Sequence, residues 1–160
     1  MSNNIIHIIT STGVGGAEKH LVRLLSYRFN NSYNFSVITL QEDGHLNSYL
    51  KSHGIPCYSL NLKYYNFLSS AVYFIYLLYK IKPIKLYSWL IHANLFSILS
   101  IFYFRKMKVI WNFRNSLDSY RKLRYRKKLL LFLTSYFSKF PDSIIYNSKR
   151  SFIQYSNFGF

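Results

Sequence analysis

The sequence predicts an α/β fold in which helices cover both faces of a parallel sheet. Short apolar runs rich in β-branched and aromatic residues alternate with longer runs whose apolar residues recur at helical spacing. Strands that alternate with helices form parallel pairs, because each helix carries the chain back to the edge where the next strand begins. At 160 residues, the chain is one domain by length and long enough to bury a sizeable core.

Three predicted strands lie in the first part of the chain, each followed by a helical pattern. The first helix has Leu21, Leu24 and Leu25 at helical spacing. The second helix is polar, and we expect it to stop at Gly54, because glycine ends helices and Pro56 cannot continue one. The predicted strands are 5–10, 35–40 and 57–60, and the helices are 17–29, a short one before residue 54, and 67–81.

Three further strands alternate with helices in the second part. Pro83 precedes the fourth strand, and Pro141 stops a long basic helix ahead of the sixth. The predicted strands are 84–89, 108–113 and 143–147, and the helices are 92–104, 120–140 and a last one after residue 147.

One uncharged segment approaches the length of a transmembrane helix. Residues 86–104 read LYSWLIHANLFSILSIFYF. They include His92, Asn94 and several serines, which are costly in lipid unless partners satisfy them. We therefore expect a buried strand and a buried helix, and a membrane span is the alternative. Residues 1–4 are uncharged and precede only a short apolar run, so we expect no secretory signal peptide.

Composition restricts the partners. The formal net charge is +16, from 21 Lys and Arg against 5 Asp and Glu, so the partners we consider are nucleic acid, anionic lipid and phosphorylated substrates. Without a helix-turn-helix, an RNP-type strand or zinc-ligand spacing, only charge argues for nucleic acid, and we expect no such partner. His and acidic residues are scattered, so we expect no metal. Cys57 is the only cysteine, which excludes an internal disulfide and fits a reducing compartment.

Three of the six glycines follow the first predicted strand. Gly13, Gly15 and Gly16 fall within four residues, just before a helix. Such a turn lets the backbone approach a ligand, and the helix N-terminus supplies amide donors for phosphate at the carboxyl edge of the sheet. The spacing is neither the dinucleotide fingerprint nor a Walker motif. The alternative is a glycine turn that only serves tight strand-to-helix geometry.

Polar residues also follow two later strands at the same edge. His92 follows the predicted fourth strand, at an edge of the sheet where side chains face the ligand crevice. The alternative is a core residue, since a lone His in an apolar segment is often buried there. Arg114, Asn115 and Ser116 follow the fifth strand, where a guanidinium can hold phosphate or carboxylate. The alternative for Arg114 is a surface salt bridge with Asp118.

The long helix predicted over 120–140 begins with a cluster of basic residues. An ordinary solvated helix face is one interpretation. Attraction to an anionic membrane surface is the more specific interpretation, because each basic residue near such a surface adds about 1 kcal/mol of binding energy. The residues are Arg121, Lys122, Arg124, Arg126, Lys127 and Lys128.

Several separated motifs, in order, resemble the N-terminal domain of a family 4 glycosyltransferase, a retaining enzyme of the GT-B class. IIHIITSTGVGGAEKHLVRLL resembles the opening strand, Gly-Gly-Ala-Glu loop and first helix of the family. KIKPIKLYSWLIHANLFSIL resembles its Lys-x-x-Pro strand ending in Trp-x-x-His-Ala. VIWNFRNS resembles its Trp-x-x-Arg-Asn-Ser segment, and PDSIIYNSKRSFIQYSNFGF its Pro-Asp strand, Asn-Ser turn and closing Gly-aromatic pair.

This resemblance implies a Rossmann-like domain over 1–160, the N-terminal, acceptor-side half of a GT-B fold. It implies hexosyl transfer from a nucleotide-sugar to a glycan or lipid-linked acceptor in bacterial surface polysaccharide synthesis, at the cytoplasmic face of the cell membrane. Gly15 and Gly16 would make room for the donor diphosphate, and His92 would be the catalytic-site residue beside the reacting sugar. Arg114 and Asn115 would lie on the acceptor side. The nucleotide-sugar is a substrate, and no cofactor or metal is implied.

The chain departs from the family in one respect. Such enzymes carry a C-terminal domain with most nucleotide contacts and a Glu-x7-Glu type motif, and these residues contain neither. We therefore expect the chain alone to be inactive, whether it is a fragment, a truncated frame or half of a split enzyme. The alternative function is a non-catalytic module of the same fold that binds a membrane surface or a partner.

Overall fold

A computed structural model describes residues 3–13, 15–27, 32–41, 44–62, 66–117 and 124–160, and in them strands alternate with helices as predicted. Cys57–Ser59 is the shortest of the strands, and Phe67–Ile81 is the longest of the helices. In chain order the elements are β1 (Asn4–Ile9), α1 (Gly16–Ser26), β2 (Asn34–Thr39), α2 (Leu46–Ser52), β3 (Cys57–Ser59), α3 (Phe67–Ile81), β4 (Lys85–Trp89), α4 (Leu90–Tyr103), β5 (Lys108–Phe113), α5 (Tyr125–Phe137), β6 (Ser143–Tyr146) and α6 (Lys149–Asn157).

The six strands form one sheet in the spatial order β3-β2-β1-β4-β5-β6, and every neighbouring pair is parallel. The chain builds outward from β1 to β3 and then crosses back to place β4 on the other side of β1. In sheets of this kind the carboxyl ends of the two strands at the reversal open a crevice. Here those strands are β1 and β4, whose last residues, Ile9 and Trp89, are register partners.

Helices cover both faces of the sheet, which confirms the predicted fold class. On one face α1 and α2 bury Leu21, Leu25 and Leu50 against β1, β2 and Trp89. On the other face α3, α4 and α5 pack over a larger cluster that contains Phe74 and Trp111. Each fully buried apolar side chain of this size contributes about 1.5–3 kcal/mol, so both layers hold the sheet in place.

The segment 86–104 divides between β4 and α4, and its buried serines and Asn94 find partners inside the domain. Asn94, Ser97 and Ser100 are fully buried. Ser97 Oγ donates to the Asn94 carbonyl at 2.7 Å and accepts from Trp111 Nε1 at 2.9 Å, and Ser100 Oγ donates to the Ser97 carbonyl at 2.6 Å. In the part of the chain that the structure describes, no helix has both the length and the apolarity to cross a membrane.

The basic helix is shorter than predicted. It spans Tyr125–Phe137 instead of 120–140. At its C-terminal end Ser138 and Phe140 donate to carbonyls three residues back, at 3.0 and 3.1 Å, so the chain leaves the helix in tight turns before Pro141. Arg121 and Lys122 lie outside the described residues, as does Asp118.

Candidate functional site

The crevice between β1 and β4 brings the glycine loop and the start of α4 to one edge. The two strands end side by side at Ile9 and Trp89. The chain leaving β1 leads through the glycines into α1 on one face, and the chain leaving β4 enters α4 on the other face. This divergence at adjacent strand ends is the geometry of a ligand crevice in open α/β sheets.

The fold itself does not need a glycine at position 16. Gly15 is the N-cap of α1 in an extended conformation, with φ −77°, and a Cβ there would collide with the carboxylate of Glu18, the end of a flexible side chain. A Cβ on Gly16, the first residue of α1, would meet no atom within 4 Å among the described residues. No side chain caps this helix end. The Glu18 carboxylate lies over Gly15 at this helix end, and the side of α1 next to Gly16 is open. The positive end of the helix dipole there favours an anion.

Gly44 and Leu46, at the start of α2, lock the glycine loop in place. Gly44 N donates to Thr12 Oγ1 at 2.8 Å, and Leu46 N donates to the Thr12 carbonyl at 3.1 Å. A Cβ on Gly44 would overlap the Thr12 backbone and lie 2.7 Å from Gly13 N. The close approach of the Gly44 and Thr12 backbones therefore requires a glycine at position 44. The sequence carried no signal for its partner, because Thr12 is 32 positions away.

The turn from β4 into α4 is strained. Leu90 has φ +71°, a left-handed conformation that costs a bulky residue about 1–2 kcal/mol. Buried Asn94 supports this turn: in the amide orientation that its hydrogen-bond surroundings favour, its nitrogen lies 3.1 Å from the Ser88 carbonyl and 3.2 Å from the Leu90 carbonyl. Strain of this kind persists only where surrounding contacts fix it, and it clusters at functional sites. The turn sets where the first residues of α4 emerge, including His92.

His92 is exposed in the first turn of α4. Partial burial lowers the pKa of its imidazole, and the nearby charge of Lys127 lowers it further. The ring is therefore neutral at pH 7, with one nitrogen able to donate a hydrogen bond and the other to accept one. Its ring makes no hydrogen bond to another described residue.

A cleft of about 610 Å³ opens beside His92, between α3, α4 and α5. Its walls are mostly apolar, and its polar side chains are Thr10, Gln41 and His92 at the edge of the sheet. Thr10 Oγ1 is buried and finds no hydrogen-bond partner in the described part of the chain. A buried hydroxyl without a hydrogen-bond partner in the protein is uncommon in folded proteins.

Arg114 lies on the opposite side of the crevice, next to α1. Its guanidinium stacks on the Trp89 ring, 5.0 Å from the centroid, and burial lowers its pKa. Burial also lowers the pKa of His20 on α1, and the charges of Arg114 and Arg23 add to that effect. Arg114 Nε is buried with no partner among the described residues. The structure thus brings Arg114 to the helix that follows the glycine loop, and not into the cleft beside His92.

Asn115 is exposed, and its carbonyl accepts a hydrogen bond from Ser151 Oγ at 3.3 Å. The preceding carbonyl, of Arg114, accepts from Asn147 Nδ2 at 3.3 Å. These bonds tie the residues after β5 to the end of β6 and to α6, and the Asn115 side chain is exposed. In the described part of the chain, no cluster of three His, Cys, Asp or Glu could hold a metal ion.

His7 is a buried residue of this region that the sequence did not indicate. Its Nδ1 accepts a hydrogen bond from Trp89 Nε1 at 3.1 Å, and its ring stacks on Tyr87 at 5.2 Å. Complete burial lowers the pKa of His7 to about 3, so the ring is neutral. His7 therefore fixes the indole on which Arg114 rests.

Comparisons in sequence and in structure give different results. No protein-family model matches the chain, and no curated protein matches it in sequence. The crystal structure of Anabaena Alr3699/HepE in complex with UDP is similar, with a TM-score of 0.76 and 17% identity over 99% of this chain and 41% of that one. The same protein with UDP and glucose gives a TM-score of 0.72 and 17% identity over 96% of this chain and 41% of that one.

The UDP-GlcNAc 2-epimerase of Methanocaldococcus jannaschii is also similar, with a TM-score of 0.62 and 14% identity over 98% of this chain and 42% of that one. The chain thus spans about two fifths of the length of these proteins. At such low identity the similarity concerns the fold. It supports the predicted Rossmann-like α/β domain of the GT-B type.

Proposed function

We propose that the chain is the N-terminal, acceptor-side domain of a retaining family 4 glycosyltransferase. The enzyme transfers a hexosyl group from a nucleotide-sugar to a glycan or lipid-linked acceptor in surface polysaccharide synthesis. One observation carries this proposal: the open N-terminus of α1, at Gly16, and the strained turn before His92 lie at the same edge of the sheet. Similar folds solved with UDP support a nucleotide-sugar as the donor.

The donor diphosphate binds beside Gly15 and Gly16. The space above Gly16 is open, and the first amides of α1 have no side-chain cap. Oxygens of a diphosphate accept hydrogen bonds from such amides and gain from the positive end of the helix dipole. Any side chain at position 16 would occupy that volume.

His92 lies beside the reacting sugar. Because its ring is neutral, it can accept a hydrogen bond from a sugar or acceptor hydroxyl and hold that group in line for transfer. We place Arg114 and Asn115 on the acceptor side, where the buried, unpaired Nε of Arg114 is available to a phosphate or carboxylate. We propose that transfer uses the nucleotide-sugar without a metal or other cofactor.

The similar proteins are more than twice as long as this chain. We propose that a second, C-terminal domain completes the nucleotide site and that the 160 residues alone do not turn over. We also propose attachment to the inner face of the cell membrane. Arg124, Arg126 and Lys127 are exposed at the start of α5 and would face anionic lipid.

A non-catalytic membrane-binding or partner-binding module is the second candidate. The observation in its favour is the set of exposed apolar side chains on α3 and α5, among them Leu68, Val72 and Phe132. Apolar patches of this kind mark interaction surfaces.

The test is sugar transfer by the full-length gene product, with radiolabelled UDP-glucose as donor and cell lipid extract plus glycan fragments as acceptors. We expect turnover that His92→Ala lowers about 100-fold, in line with the loss of a hydrogen bond that positions the reacting group. His53→Ala, which changes an exposed histidine at the C-terminal end of α2, is the matched control and should retain full activity. Absence of turnover with a panel of nucleotide-sugars would favour the binding module.

A further inference from the structure

A cavity of about 790 Å³ lies at the amino edge of the sheet, at the other end of the strands from the crevice. The first residues of β1 and β2 line it, together with the segment that follows α2 and the last turn of α3. Because β1 and β2 each have six residues, roughly 20 Å separate this cavity from the crevice. We call it the amino-edge cavity, and its lining residues include Asn4, Tyr33, Asn34, Ser36, Ile55 and Lys80.

The sheet is polar at this edge, on the face that α3 covers. Alternate residues of a strand share a face, so β2 presents Asn34, Ser36 and Ile38 on this side. Ile38 lies in the core, whereas the Ser36 side chain is only 8% exposed and lines the cavity. The Ser36 hydroxyl makes no hydrogen bond to another described residue. A hydroxyl of a ligand in the cavity can therefore pair with it.

Two asparagines beside Ser36 hold each other in place. Asn34 Nδ2 donates to Asn4 Oδ1 at 3.2 Å, and Asn4 Nδ2 donates to the Ile81 carbonyl at the end of α3. These bonds engage both halves of the Asn4 amide and leave Asn34 with its amide oxygen and a second N–H. An acceptor and a donor side by side match two neighbouring hydroxyls of a ligand, since each hydroxyl both donates and accepts.

Charge at the cavity favours an uncharged ligand. The C-terminal ends of α2 and α3 lie here, and the negative end of a helix dipole repels an anion. Lys80, which is exposed, is the one charged side chain among the described lining residues. A phosphate group would have this single cation to balance its charge, whereas an uncharged ligand needs none.

Apolar groups complete the lining. Ile55 is buried, and the ring of Tyr33 is partly exposed at the cavity. Small-molecule sites combine apolar groups of this kind with a few polar groups that fix the orientation of the ligand. A sugar matches both parts, because its hydroxyls project from the edge of a ring whose C–H groups form apolar faces.

We propose that the amino-edge cavity binds an uncharged sugar unit, at a site separate from the crevice. The Asn34 amide pairs with two neighbouring hydroxyls, and Ser36 Oγ pairs with a third. The ring packs against Tyr33. In a transferase, this site would hold a long glycan at a second point and raise its effective concentration at the crevice. The binding itself does not depend on that function.

The experiment is saturation-transfer NMR of the chain with glucose, galactose, mannose and N-acetylglucosamine. Tetrahydropyran-2-methanol keeps the ring but only one hydroxyl, and inorganic phosphate is the anion without a ring. We expect at least one sugar to bind, with a Kd that titration measures, and both comparison ligands to bind at least about 10-fold more weakly. If no sugar binds, or if either comparison ligand binds as well, the proposal is overturned.

Variants locate the bound sugar. Ser36→Ala removes the buried hydroxyl and should weaken sugar binding about 5- to 10-fold. Asn34→Ala, at a more exposed position, should weaken it to a similar extent and tests the site if Ser36→Ala does not fold. Ser48→Ala, which changes an exposed serine of α2 outside the cavity, is the matched control and should bind as the wild type does. Equal affinities of all three variants would overturn the proposal.

His92→Ala separates this site from the crevice. Sugar binding that His92→Ala abolishes and Ser36→Ala leaves unchanged belongs to the crevice, which overturns the amino-edge site and leaves the proposed transferase standing. Sugar binding that depends on Ser36, in a full-length protein that transfers no sugar from any nucleotide-sugar, supports the amino-edge site and removes the transferase.

Discussion

The indole nitrogen of Trp89 donates a hydrogen bond to Nδ1 of His7, 82 positions earlier in the chain, at 3.1 Å. This bond joins the middle of β1 to the end of β4, the two strands that flank the crevice. On the indole rests the guanidinium of Arg114. A buried, neutral histidine is therefore the support of a charged residue at the candidate site.

That histidine makes stability depend on pH. The unfolded chain takes up a proton on His7 near pH 6.5, whereas the folded chain does so only near the lowered pKa of about 3. Between these values the unfolded state holds more protons, so stability falls as the pH falls. We expect His7 alone to remove about 2 kcal/mol from the free energy of unfolding between pH 7 and pH 5.

Urea unfolding at both pH values measures this loss. His7→Gln keeps an acceptor for Trp89 but does not titrate, and it retains His20 and His92, whose pKa values are also lowered. The variant should lose less stability than the wild type over the same interval. Equal losses would show that another group carries the dependence.

Two glycines of the site should respond in opposite ways to alanine. Gly44→Ala forces a Cβ into the Thr12 backbone and should lower the free energy of unfolding by about 2 kcal/mol. Gly16→Ala places the Cβ in open space within α1, so stability should hold or rise by up to about 1 kcal/mol.

Thermal and urea unfolding compare the two alanine variants. For the full-length protein we add the KM for UDP-glucose, which Gly16→Ala should raise if the donor diphosphate lies against that residue. A stable Gly44→Ala variant would mean that the two loops separate at little cost.

The strain at Leu90 predicts an unusual order of substitutions. Leu90→Gly relieves the left-handed conformation and should cost less than about 1 kcal/mol, although it removes a half-buried leucine. Leu90→Val keeps more apolar surface, yet a β-branched residue fits that conformation worst, and we expect a loss of about 2 kcal/mol. Urea unfolding measures the stability of both variants. A Leu90→Val variant more stable than Leu90→Gly would contradict backbone strain at this position.

Asn94 should be essential to the turn before α4. Asn94→Ala leaves the Ser88 and Leu90 carbonyls without this buried donor and should lower the free energy of unfolding by about 2–3 kcal/mol. Asn157→Ala, at the exposed end of α6, is the control and should change it by less than about 0.5 kcal/mol. If chemical denaturation shows that both variants lose equally little stability, Asn94 does not hold the turn from which His92 emerges.

The local signals placed most elements correctly. The helix predicted over 67–81 has those bounds because Asn66 caps it, accepting from Ser69 N at 2.8 Å, and because Lys82 leaves it in a left-handed conformation before Pro83. The strand predicted over 108–113 also has those bounds. The basic helix was predicted too long at its C-terminal end, because apolar residues continue to Phe140 while the backbone turns after Phe137.

The sequence also placed the glycine loop and His92 at one edge of the sheet, because alternating strands and helices permit few other arrangements. It could not indicate the lock between Gly44 and Thr12, the strain at Leu90 or the orphaned hydroxyl of Thr10. Each depends on atoms that meet only after distant segments have packed. Arg114 is the clearest example. Its position after the fifth strand predicted a place in the ligand crevice, but its guanidinium packs on Trp89 on the side of α1.

By itself, therefore, the sequence determined the order of strands and helices, the parallel sheet and the edge where polar residues gather, since hydrophobic period, glycines and prolines act locally. The tertiary structure alone decided which side of the crevice each residue faces, which glycine is sterically required and where an apolar cleft opens. These features arise from contacts between residues far apart in the chain, which no local pattern encodes.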